Sequence, residues 1–507
     1  MSIAKKTIRG LSWTTFGTFT NVFLQILYTS WMARILSPAE FGIMAMATLV
    51  VNFATHFSKM GIGQAIIQKK ELSITDIRAA FTLSISFGTL IFLLIFFSAP
   101  WIAAYFKSDE LVPLLRFMGL SMIIAALATV SGNLLRKEMK FKQMSLINSF
   151  SFLCAYPFIG ILLAWYGWGV WSLAIATLSQ ILINAIIQYY FCPHTLLPTF
   201  YRAHFRPILN YGSKVSLNGI ITYLISHIET LFMGRFLGKV ILGYYSRAHL
   251  LVFLPSYHLH QSLTTVLFPA FSKLQNNLSK LKEVYQDIVM LSGLLLFSVS
   301  LGMAAAAPEC VEVVLGPGWE PSVPMLQVLC FIVPLNLLVS YGGIVCDAVD
   351  ALREKILLNI GILLLMVLGF VLLRYQGVYA FLLILLLRDV LKTIFQAFII
   401  GKIFKSSVIS VLKPYLPGLL HGGITAALVW GFSLFMRPYF PSPFILLPIQ
   451  VILAGFLLIS QLLFMPHPYL RPRFYRVFNR MNLQRFEKHR LFPWLHFYIK
   501  RLKASHE

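Results

Sequence analysis

The sequence predicts an all-α integral membrane protein with fourteen transmembrane helices. Of its 507 residues, 58% are hydrophobic and only 12% are charged, whereas about a quarter of the residues in a typical soluble domain are charged. Apolar stretches of about 20 residues, the length of helix that crosses a bilayer core, recur along nearly the whole chain. Because these stretches are continuously apolar and do not alternate, they do not suit the strands of a β-barrel.

Windows of about 19 residues place the fourteen predicted spans. The first seven lie near Leu11–Leu36, Phe41–Phe57, Ala79–Ile102, Leu111–Leu134, Met144–Trp165, Val170–Phe191 and Val215–Phe236. The next seven lie near Val240–Phe268, Tyr285–Ala307, Val323–Cys346, Ile356–Leu373, Val378–Ile400, Leu416–Phe435 and Phe444–Phe464. The basic start of the chain leads into the first span without a convincing cleavage site, so we expect that span to be retained.

The positive charges fall mostly on one side of these spans. The chain has 42 Lys and Arg against 18 Asp and Glu, a net charge of +24. With a cytoplasmic N-terminus and fourteen crossings, 32 of these cations lie in cytoplasmic segments and seven lie outside. This asymmetry predicts that both termini are in the cytoplasm. Cations along the cytoplasmic side also explain why the chain is basic, so we do not expect nucleic acid as a partner.

A short sequence repeats at an interval of 201 residues. The segment MARILSPAEFG at the end of span one recurs as MGRFLGKVILG at the end of span seven, and Gly42 aligns with Gly243. Six spans per copy give both copies the same direction in the membrane, which predicts two similar bundles. We therefore expect four parts: an N-terminal lobe at 1–200 with spans one to six, a C-terminal lobe at 201–405 with spans seven to twelve, two further spans at 406–465, and a basic tail at 466–507.

No segment carries an enzyme or metal signature. The five cysteines are odd in number and have neither CxxC spacing nor clustered histidines, which supports neither a disulfide framework nor a zinc site. No HExxH or GxSxG motif occurs. The longest external connection, 308–322, is too short for a catalytic domain, and its three glutamates predict a solvated acidic loop. We expect no enzyme activity.

Polar residues line one face of span one. Thr14, Thr18, Asn21, Gln25 and Tyr28 are spaced by four and three residues, which places them on a common helix face. Span seven carries a similar stripe, and the 201-residue shift relates the two: Asn218, Thr222, Ser226 and Glu229. The two stripes predict that both bundles face a shared polar cavity. The alternative is that such residues only hydrogen-bond neighbouring helices.

Charged residues inside spans are costly, and they usually face a bundle interior or water. Span twelve carries Arg388, Lys392 and Gln396 on one face, and Asp389 is placed to pair with Lys392. The alternative is that Arg388 and Asp389 neutralise each other locally and that Arg247, in span eight, extends towards the outer interface.

Ten residues from these faces are the candidates for a substrate cavity. They come from spans one, two, seven, eight and twelve: Asn21, Gln25, Asn52, His56, Glu229, Arg247, His258, Arg388, Lys392 and Gln396. The set is cationic on balance, so the natural client is an anion such as a phosphate or pyrophosphate. Glu229 and Asp389 are the candidates for binding a coupling proton or sodium ion, and no cofactor is expected.

Sequence motifs in spans one, two, seven and eight resemble those of a known family. The first copy contains KKTIRGLSW, ARILSPAEFGIMAMA and GIGQAIIQKK, and the second contains LNYGSKVSLNGIITYLISHIETLFMGRFLGKVILGYYSRAHLL and TTVLFPAFSKLQ. By these motifs the chain resembles the polysaccharide transporter family of the multidrug/oligosaccharidyl-lipid/polysaccharide (MOP) flippase superfamily, the branch with O-antigen, colanic acid and teichuronic acid exporters. Similar proteins often carry Asp where this chain has Glu229.

The resemblance implies a MATE-like, V-shaped pair of six-helix lobes that opens alternately to the two sides of the bacterial cytoplasmic (inner) membrane. It implies that a lipid-linked oligosaccharide, carried on undecaprenyl pyrophosphate, crosses that membrane for lipopolysaccharide O-antigen, capsule or exopolysaccharide synthesis. The headgroup would traverse the polar cavity while the polyprenyl tail stays in lipid. In that setting, changing both Arg388 and Lys392 to glutamine should abolish export, and Asp389→Asn should be milder.

Two other functions stay open. A multidrug or toxin cation antiporter of the same superfamily would favour an acidic cavity, and a membrane glycosyltransferase or polymerase would need a sizeable catalytic segment. Polysaccharide polymerase and glycosyltransferases are candidate partners. The tail at 466–507 interleaves aromatic residues with ten Lys and Arg, which suits anionic lipids of the inner leaflet; a solvated tail is the alternative.

Overall fold

The computed structural model describes residues 20–59, 62–69, 72–199 and 223–464, and nearly all of them are helical. Ten helices within this part are long and apolar enough to cross a membrane. The all-α membrane architecture is therefore confirmed, and the count of fourteen spans stays a prediction.

The helices follow the predicted spans along the chain. In the first part they are α1 (20–35), α2 (Pro38–Lys59), α3 (Ile62–Gln68), α4 (Ile74–Phe106), α5 (Leu111–Lys137), α6 (Phe141–Leu153), α7 (Leu162–Trp165) and α8 (Val170–Phe191), with a π-helical segment, Cys154–Ile161, joining α6 to α7. In the second part they are α9 (223–236), α10 (Gly238–Lys273), α11 (Leu278–Ala305), α12 (Ala307–Val314), α13 (Ser322–Ala348), α14 (Leu352–Leu372), α15 (Gly377–Ile403), α16 (Val408–Leu412), α17 (Leu416–Met436) and α18 (Pro443–Phe464).

Each of the fourteen predicted spans overlaps one of these helices, and span six has the same bounds as α8. Four of the fourteen are not among the ten apolar helices. Two of the four, α1 and α9, are described only in part, and the other two, α10 and α15, carry Arg247 and Arg388 together with further polar residues. The fully bounded helices that are missing from the ten, α10 and α15, are thus helices with charged residues in their predicted spans.

The start of α4 shows how local sequence fixes a helix end. The Ser73 side chain accepts a hydrogen bond from the Asp76 backbone N–H at 3.1 Å, and the Asp76 carboxylate accepts one from the Ser73 backbone N–H at 3.0 Å. This reciprocal pair is a capping box, which satisfies two N–H groups that the helix itself cannot. Lys69 reaches the same carboxylate at 2.5 Å, so a cation and a cap together hold the end of this span.

The described residues fall into two compact units. Unit 1 takes those of Met1–His258, Val314–Met325 and Leu363–Leu385, and unit 2 takes those of Leu259–Val313, Leu326–Ile362 and Leu386–Glu507. Five of the described helices are divided between the two units: α10, α12, of which only Val314 lies in unit 1, α13, α14 and α15.

In unit 2, α17 packs closely on α11 through two glycines. A Cβ built on Gly418 would lie 2.6 Å from the carbonyl oxygen of Gly293, and one built on Gly422 would lie 2.8 Å from that of Phe297. Small residues spaced four apart let two membrane helices approach backbone to backbone. The helix predicted as span thirteen is therefore held directly against α11.

The external connection around residue 310 differs from the predicted solvated loop. Its first part is a helix, α12, and Glu309 is only 5% exposed. The Arg437 guanidinium Nε lies 2.7 Å from a Glu309 carboxylate oxygen, which compensates the buried charge. The prediction was wrong for Glu309 because its partner lies 128 residues away in sequence.

Several predictions concern residues outside the described part. They are Thr14 and Thr18 of span one, Asn218 and Thr222 of span seven, and the basic tail at 466–507. The side chain of His258 also lies outside it, although its backbone belongs to α10. The stripe that is described on α1 consists of Asn21, Gln25 and Tyr28.

Candidate functional site

Arg247 lies in α10 against an aromatic ring and not against an acid. Its guanidinium carbon is 4.5 Å from the centre of the Phe41 ring, and its Nε lies 3.5 Å from the hydroxyl of the adjacent Ser246. The Phe41 ring also meets Trp319 edge to face, with ring centres 5.5 Å apart. Within the described residues, no carboxylate forms an ion pair with Arg247. Its remaining N–H groups are available to a ligand.

The polar stripe of α1 contains groups that the described residues leave unsatisfied. Tyr28 is buried and meets Phe152 and Tyr156 edge to face, with ring centres 6.3 and 4.8 Å away. Its hydroxyl and the side-chain carbonyl of Asn21 are both buried without a hydrogen-bond partner in the described part of the chain. Buried polar groups normally have a partner. The stripe therefore suits a face that meets water or a polar ligand.

Span two contributes His56 through contacts with α9. The rings of His56 and Tyr223 are centred 5.2 Å apart, and the ring of Tyr223 lies tilted against that of His227, with centres 4.2 Å apart. The Tyr223 hydroxyl donates a hydrogen bond to the Leu49 carbonyl at 2.9 Å. The structure thus brings the candidate residue of span two onto the candidate helix of span seven. Glu229, also on α9, is buried at 5% exposure.

A cavity of about 260 Å³ with a mostly apolar lining lies among α2, α5 and α8 in unit 1. Its polar lining carries no charge and consists of Thr48, Asn52, Thr55, Ser121 and Thr177. Ser121 is 3% exposed, and its hydroxyl has no hydrogen-bond partner among the described residues. Asn52 is exposed at the cavity. The cavity suits an uncharged polar group, and the candidate Asn52 belongs to it.

In unit 2, Asp389 pairs with Arg388 and not with Lys392. Arg388 donates from Nε at 2.8 Å and from Nη2 at 2.5 Å to one carboxylate oxygen of Asp389, and Asn336 donates to the other oxygen at 3.1 Å. Asp389 is 1% exposed. The predicted pairing with Lys392 was wrong because the long arginine side chain bends back onto its neighbour, which satisfies a charge that burial makes costly. Both oxygens of Asp389 are thus engaged, which weakens its case as a coupling-ion ligand.

Lys392 follows one turn later and is half-buried. It forms no ion pair and no hydrogen bond with the residues that the structure describes. Lys355, another cation of unit 2, is held by Asp347, whose two oxygens lie 2.7 and 2.8 Å from its ammonium nitrogen. One turn beyond Lys392, the buried Gln396 donates to the sulfur of Cys346 at 3.5 Å. Lys392 is therefore a cation of a predicted span that has no ion-pair partner among the described residues.

The ten candidates separate into two groups. Seven lie in unit 1, namely Asn21, Gln25, Asn52, His56, Glu229, Arg247 and the backbone of His258, and three lie in unit 2, namely Arg388, Lys392 and Gln396. No cluster of three or more His, Cys, Asp or Glu side chains suited to a metal ion occurs among the described residues. Two partners escaped the sequence analysis, Phe41 and Asn336. No local pattern marks either one, because each lies in a helix remote in sequence from the charge that it contacts.

Comparisons with known proteins give the family and the fold. A family model described as "Polysaccharide biosynthesis protein" matches residues 31–324, more than half of the chain. The chain is 27% identical over 349 residues to the lipopolysaccharide biosynthesis protein WzxC of Escherichia coli (strain K12), covering 68% of this chain and 69% of that protein. It is 26% identical over 375 residues to the teichuronic acid biosynthesis protein TuaB of Bacillus subtilis (strain 168), covering 72% and 76%. It is 24% identical over 330 residues to the succinoglycan biosynthesis transport protein ExoT of Rhizobium meliloti (strain 1021), covering 64% and 66%.

Two solved structures share the fold. The lipid II flippase MurJ, in an inward closed conformation, superposes with a TM-score of 0.70 at 15% identity, covering 90% of this chain and 98% of that one. An inward-facing multidrug resistance MATE family transporter of the MOP superfamily gives 0.56 at 15% identity, covering 80% and 94%. At this identity the likeness concerns the fold. The family match rests on the sequence itself, and by it the chain belongs to the polysaccharide biosynthesis protein family.

Proposed function

We propose that this protein is a flippase that moves a lipid-linked oligosaccharide, joined to its lipid by pyrophosphate, across the bacterial cytoplasmic membrane. The protein is a transporter and not an enzyme. The observation that carries the proposal is that Arg247 and Lys392 are intramembrane cations without a carboxylate partner in the described part of the chain. The names of the relatives WzxC, TuaB and ExoT, which concern polysaccharide biosynthesis and its transport, support it.

An unpaired cation inside a membrane protein is expensive. Insertion of Arg or Lys at the centre of a span costs about 2.5–3.5 kcal/mol on insertion scales, and the cost is normally offset by an acid, as Asp389 does for Arg388. Arg247 and Lys392 lack that offset. An anionic headgroup would supply it during transport, because phosphate oxygens accept several charge-assisted hydrogen bonds from such cations.

The uncharged part of the cargo has a different candidate site. The neutral cavity of unit 1, which includes Thr48, Asn52 and Ser121, offers hydroxyl and amide groups without a charge. Sugar hydroxyl groups are both donors and acceptors, so they match this lining. We therefore assign the sugar portion to the neutral cavity, and we propose Arg247 of unit 1 and Lys392 of unit 2 as separate candidate contacts for the pyrophosphate. His56 and Gln25 are further polar candidates in unit 1.

The proposal includes the predicted topology. Fourteen spans in two six-helix lobes with two additional helices, and both termini in the cytoplasm, account for the distribution of positive charge. The basic tail at 466–507 would lie on anionic lipid of the inner leaflet. Glu229 is our candidate for binding a coupling proton or sodium ion, because it is a buried acid in the repeated polar stripe. Polymerase and glycosyltransferases of the same pathway are the proposed protein partners.

Export in cells that lack the endogenous transporter tests the two cations. We expect Arg247→Gln and Lys392→Gln each to lower surface glycan about 10-fold to 100-fold, since a hydrogen bond to a charged group contributes about 1.5–3 kcal/mol. The double variant should abolish export. The lipid-linked oligosaccharide should then accumulate on the cytoplasmic leaflet, and the amount of protein in the membrane should be unchanged.

Arg116 provides a matched control. It also stacks on an aromatic ring, with its guanidinium carbon 4.6 Å from the centre of Phe96, and it donates from Nε to the Phe96 carbonyl at 3.3 Å. Arg116→Gln should leave export near the wild-type level because that arginine is placed outside the candidate cavity. Normal export by the Arg247→Gln, Lys392→Gln double variant at normal abundance would refute the proposal.

A further inference from the structure

The two copies of the repeated sequence touch each other at their glycines. A Cβ built on Gly42 would overlap the carbonyl oxygen of Lys239 and lie 2.6 Å from the carbonyl carbon. A Cβ built on Gly243 would overlap the carbonyl oxygen of Pro38 and lie 2.6 Å from its carbonyl carbon. Only a residue without a side chain fits at either position. The first turns of α2 and α10 therefore meet backbone to backbone.

The two contacts are copies of one contact. The 201-residue shift that aligns the repeats relates Gly42 to Gly243 and Pro38 to Lys239. Each copy thus presents a glycine to the other copy's carbonyl, as a local two-fold axis requires. Cα–H groups facing carbonyl oxygens in this way recur where helices approach closely. A paired arrangement of this kind explains why both copies keep the glycine.

Two arginines, also related by the repeat, make a second pair of equivalent contacts. Arg34 and Arg235 are also related by the 201-residue shift, and each donates to the last carbonyls of a helix. Arg34 reaches the Val314 carbonyl at 3.2 Å, where α12 ends. Arg235 reaches the Ala104 carbonyl at 3.1 Å, near the end of α4. A cation at the C-terminal end of a helix is stabilised by the unpaired carbonyls there.

We propose that these four contacts form a glycine clasp that acts as the outer gate of the transporter. The clasp is defined by Gly42, Gly243, Arg34 and Arg235 with their carbonyl partners. By the predicted topology, all of its segments lie at the outer end of the spans. The pair Lys239 and Glu110, 2.9 Å apart, lies beside it with side chains 37% and 60% exposed. Water can replace carbonyl contacts and exposed ion pairs at small cost, so the clasp can separate and reform.

The clasp lies next to the candidate anion site. Phe41, which carries the Arg247 guanidinium on its ring, directly precedes Gly42. Separation of the clasp would therefore alter the surroundings of Arg247. The gate itself does not depend on which cargo is carried, so its tests use accessibility and cross-linking as readouts beside export.

Alanine substitutions test the glycines. We expect Gly42→Ala and Gly243→Ala each to hold the clasp open. Met46, one turn further along α2, is fully buried, so a Met46→Cys reporter in a background without native cysteines measures opening. Labelling by an impermeant thiol reagent from outside should rise about tenfold, as expected when a minor open state becomes the major one. The control is Gly423→Ala, a helical glycine with no atom within 4 Å of its added Cβ.

A cross-link tests closure without new bulk inside the clasp. Lys239→Cys with Glu110→Cys replaces the exposed ion pair, and a short bifunctional thiol reagent should bridge the two in spheroplasts. Export should stop when the bridge forms and return when it is reduced. The control, Lys140→Cys with Glu138→Cys, replaces another exposed pair, 2.6 Å apart, within one connection between α5 and α6. Undiminished export by fully bridged protein, or unchanged Met46→Cys labelling in a well-expressed Gly42→Ala variant, would overturn the gate.

Discussion

Two arginines in predicted spans, Arg247 and Arg388, differ in their contacts. Arg388 is 13% exposed and donates twice to the carboxylate of Asp389. Arg247 is half-buried over the ring of Phe41 and has no carboxylate within the described residues. An aromatic face attracts a cation by about 0.5–2 kcal/mol, much less than a full opposite charge at the same depth. The difference suggests that Arg388 is structural and that Arg247 is kept available for an anion.

The largest effect should follow removal of the carboxylate. Asp389→Asn removes the carboxylate to which Arg388 donates twice, which should lower the free energy of unfolding by about 3–5 kcal/mol. SDS titration of the purified protein in mixed micelles measures this. The double variant Arg388→Met with Asp389→Leu should regain most of the loss, because both charges are gone. If Asp389→Asn unfolds like wild type, the conclusion that Arg388 is structural, unlike Arg247, is wrong.

This expectation reverses the order that the sequence predicted. Asp389→Asn was expected to be milder than changing Arg388 and Lys392 together, because Asp389 was expected to compete for Lys392. With Asp389 on Arg388 and Asn336, the asparagine variant should instead reduce the amount of folded protein. Lys392→Gln alone should retain normal abundance.

A middle-sized effect should come from the ring beneath Arg247. Phe41→Leu removes the aromatic face, and a double-mutant cycle with Arg247→Gln isolates its interaction with the cation. We expect a coupling free energy of about 0.5–2 kcal/mol, the usual range for a cation over a ring. The same micelle unfolding assay gives all four values. A coupling near zero would mean that Arg247 is held by something other than Phe41.

The smallest effect should come from an exposed pair. Glu110→Gln removes the carboxylate that Lys239 reaches at 2.9 Å, yet both side chains are more than a third exposed. Exposed ion pairs contribute about 0.2–1 kcal/mol. Unfolding at low and high salt checks the value, since screening should remove most of it. A loss of unfolding free energy as large as that for Asp389→Asn would show that burial does not determine how much an ion pair contributes to stability.

The helices were largely predictable because each depends on its own stretch of sequence. An apolar run of about 20 residues has few alternatives to a spanning helix, and span six was predicted with the bounds of α8. Helix ends were less well predicted, as α4 extends beyond the predicted span at both ends. The additional turn at the start is fixed by a capping box at Ser73, and the helix ends at Lys107 in a left-handed conformation; hydropathy detects neither.

The pairing of charges was not predictable in the same way. Helix spacing relates Asp389 to Lys392, but Arg388 is adjacent to Asp389, and neighbours on a helix point in different directions. Only the length of the arginine side chain and the distant Asn336 make the observed pair. Glu309 and Arg437 likewise meet across 128 residues. The repeat revealed that Gly42 and Gly243 are equivalent, but not that each packs against the other copy's carbonyl.

The close packing of α17 on α11 has a practical use for spectroscopy. Because Gly418 and Gly422 bring the two backbones into contact, a displacement of α11 should carry α17 with it. Trp430 lies on α17 with 55% of its surface exposed. In a variant whose other eight tryptophans are replaced, its indole fluorescence, quenched by bromine or spin labels placed at graded depths in the acyl chains, would report vertical or tilting motion of α11 without any probe attached to that helix.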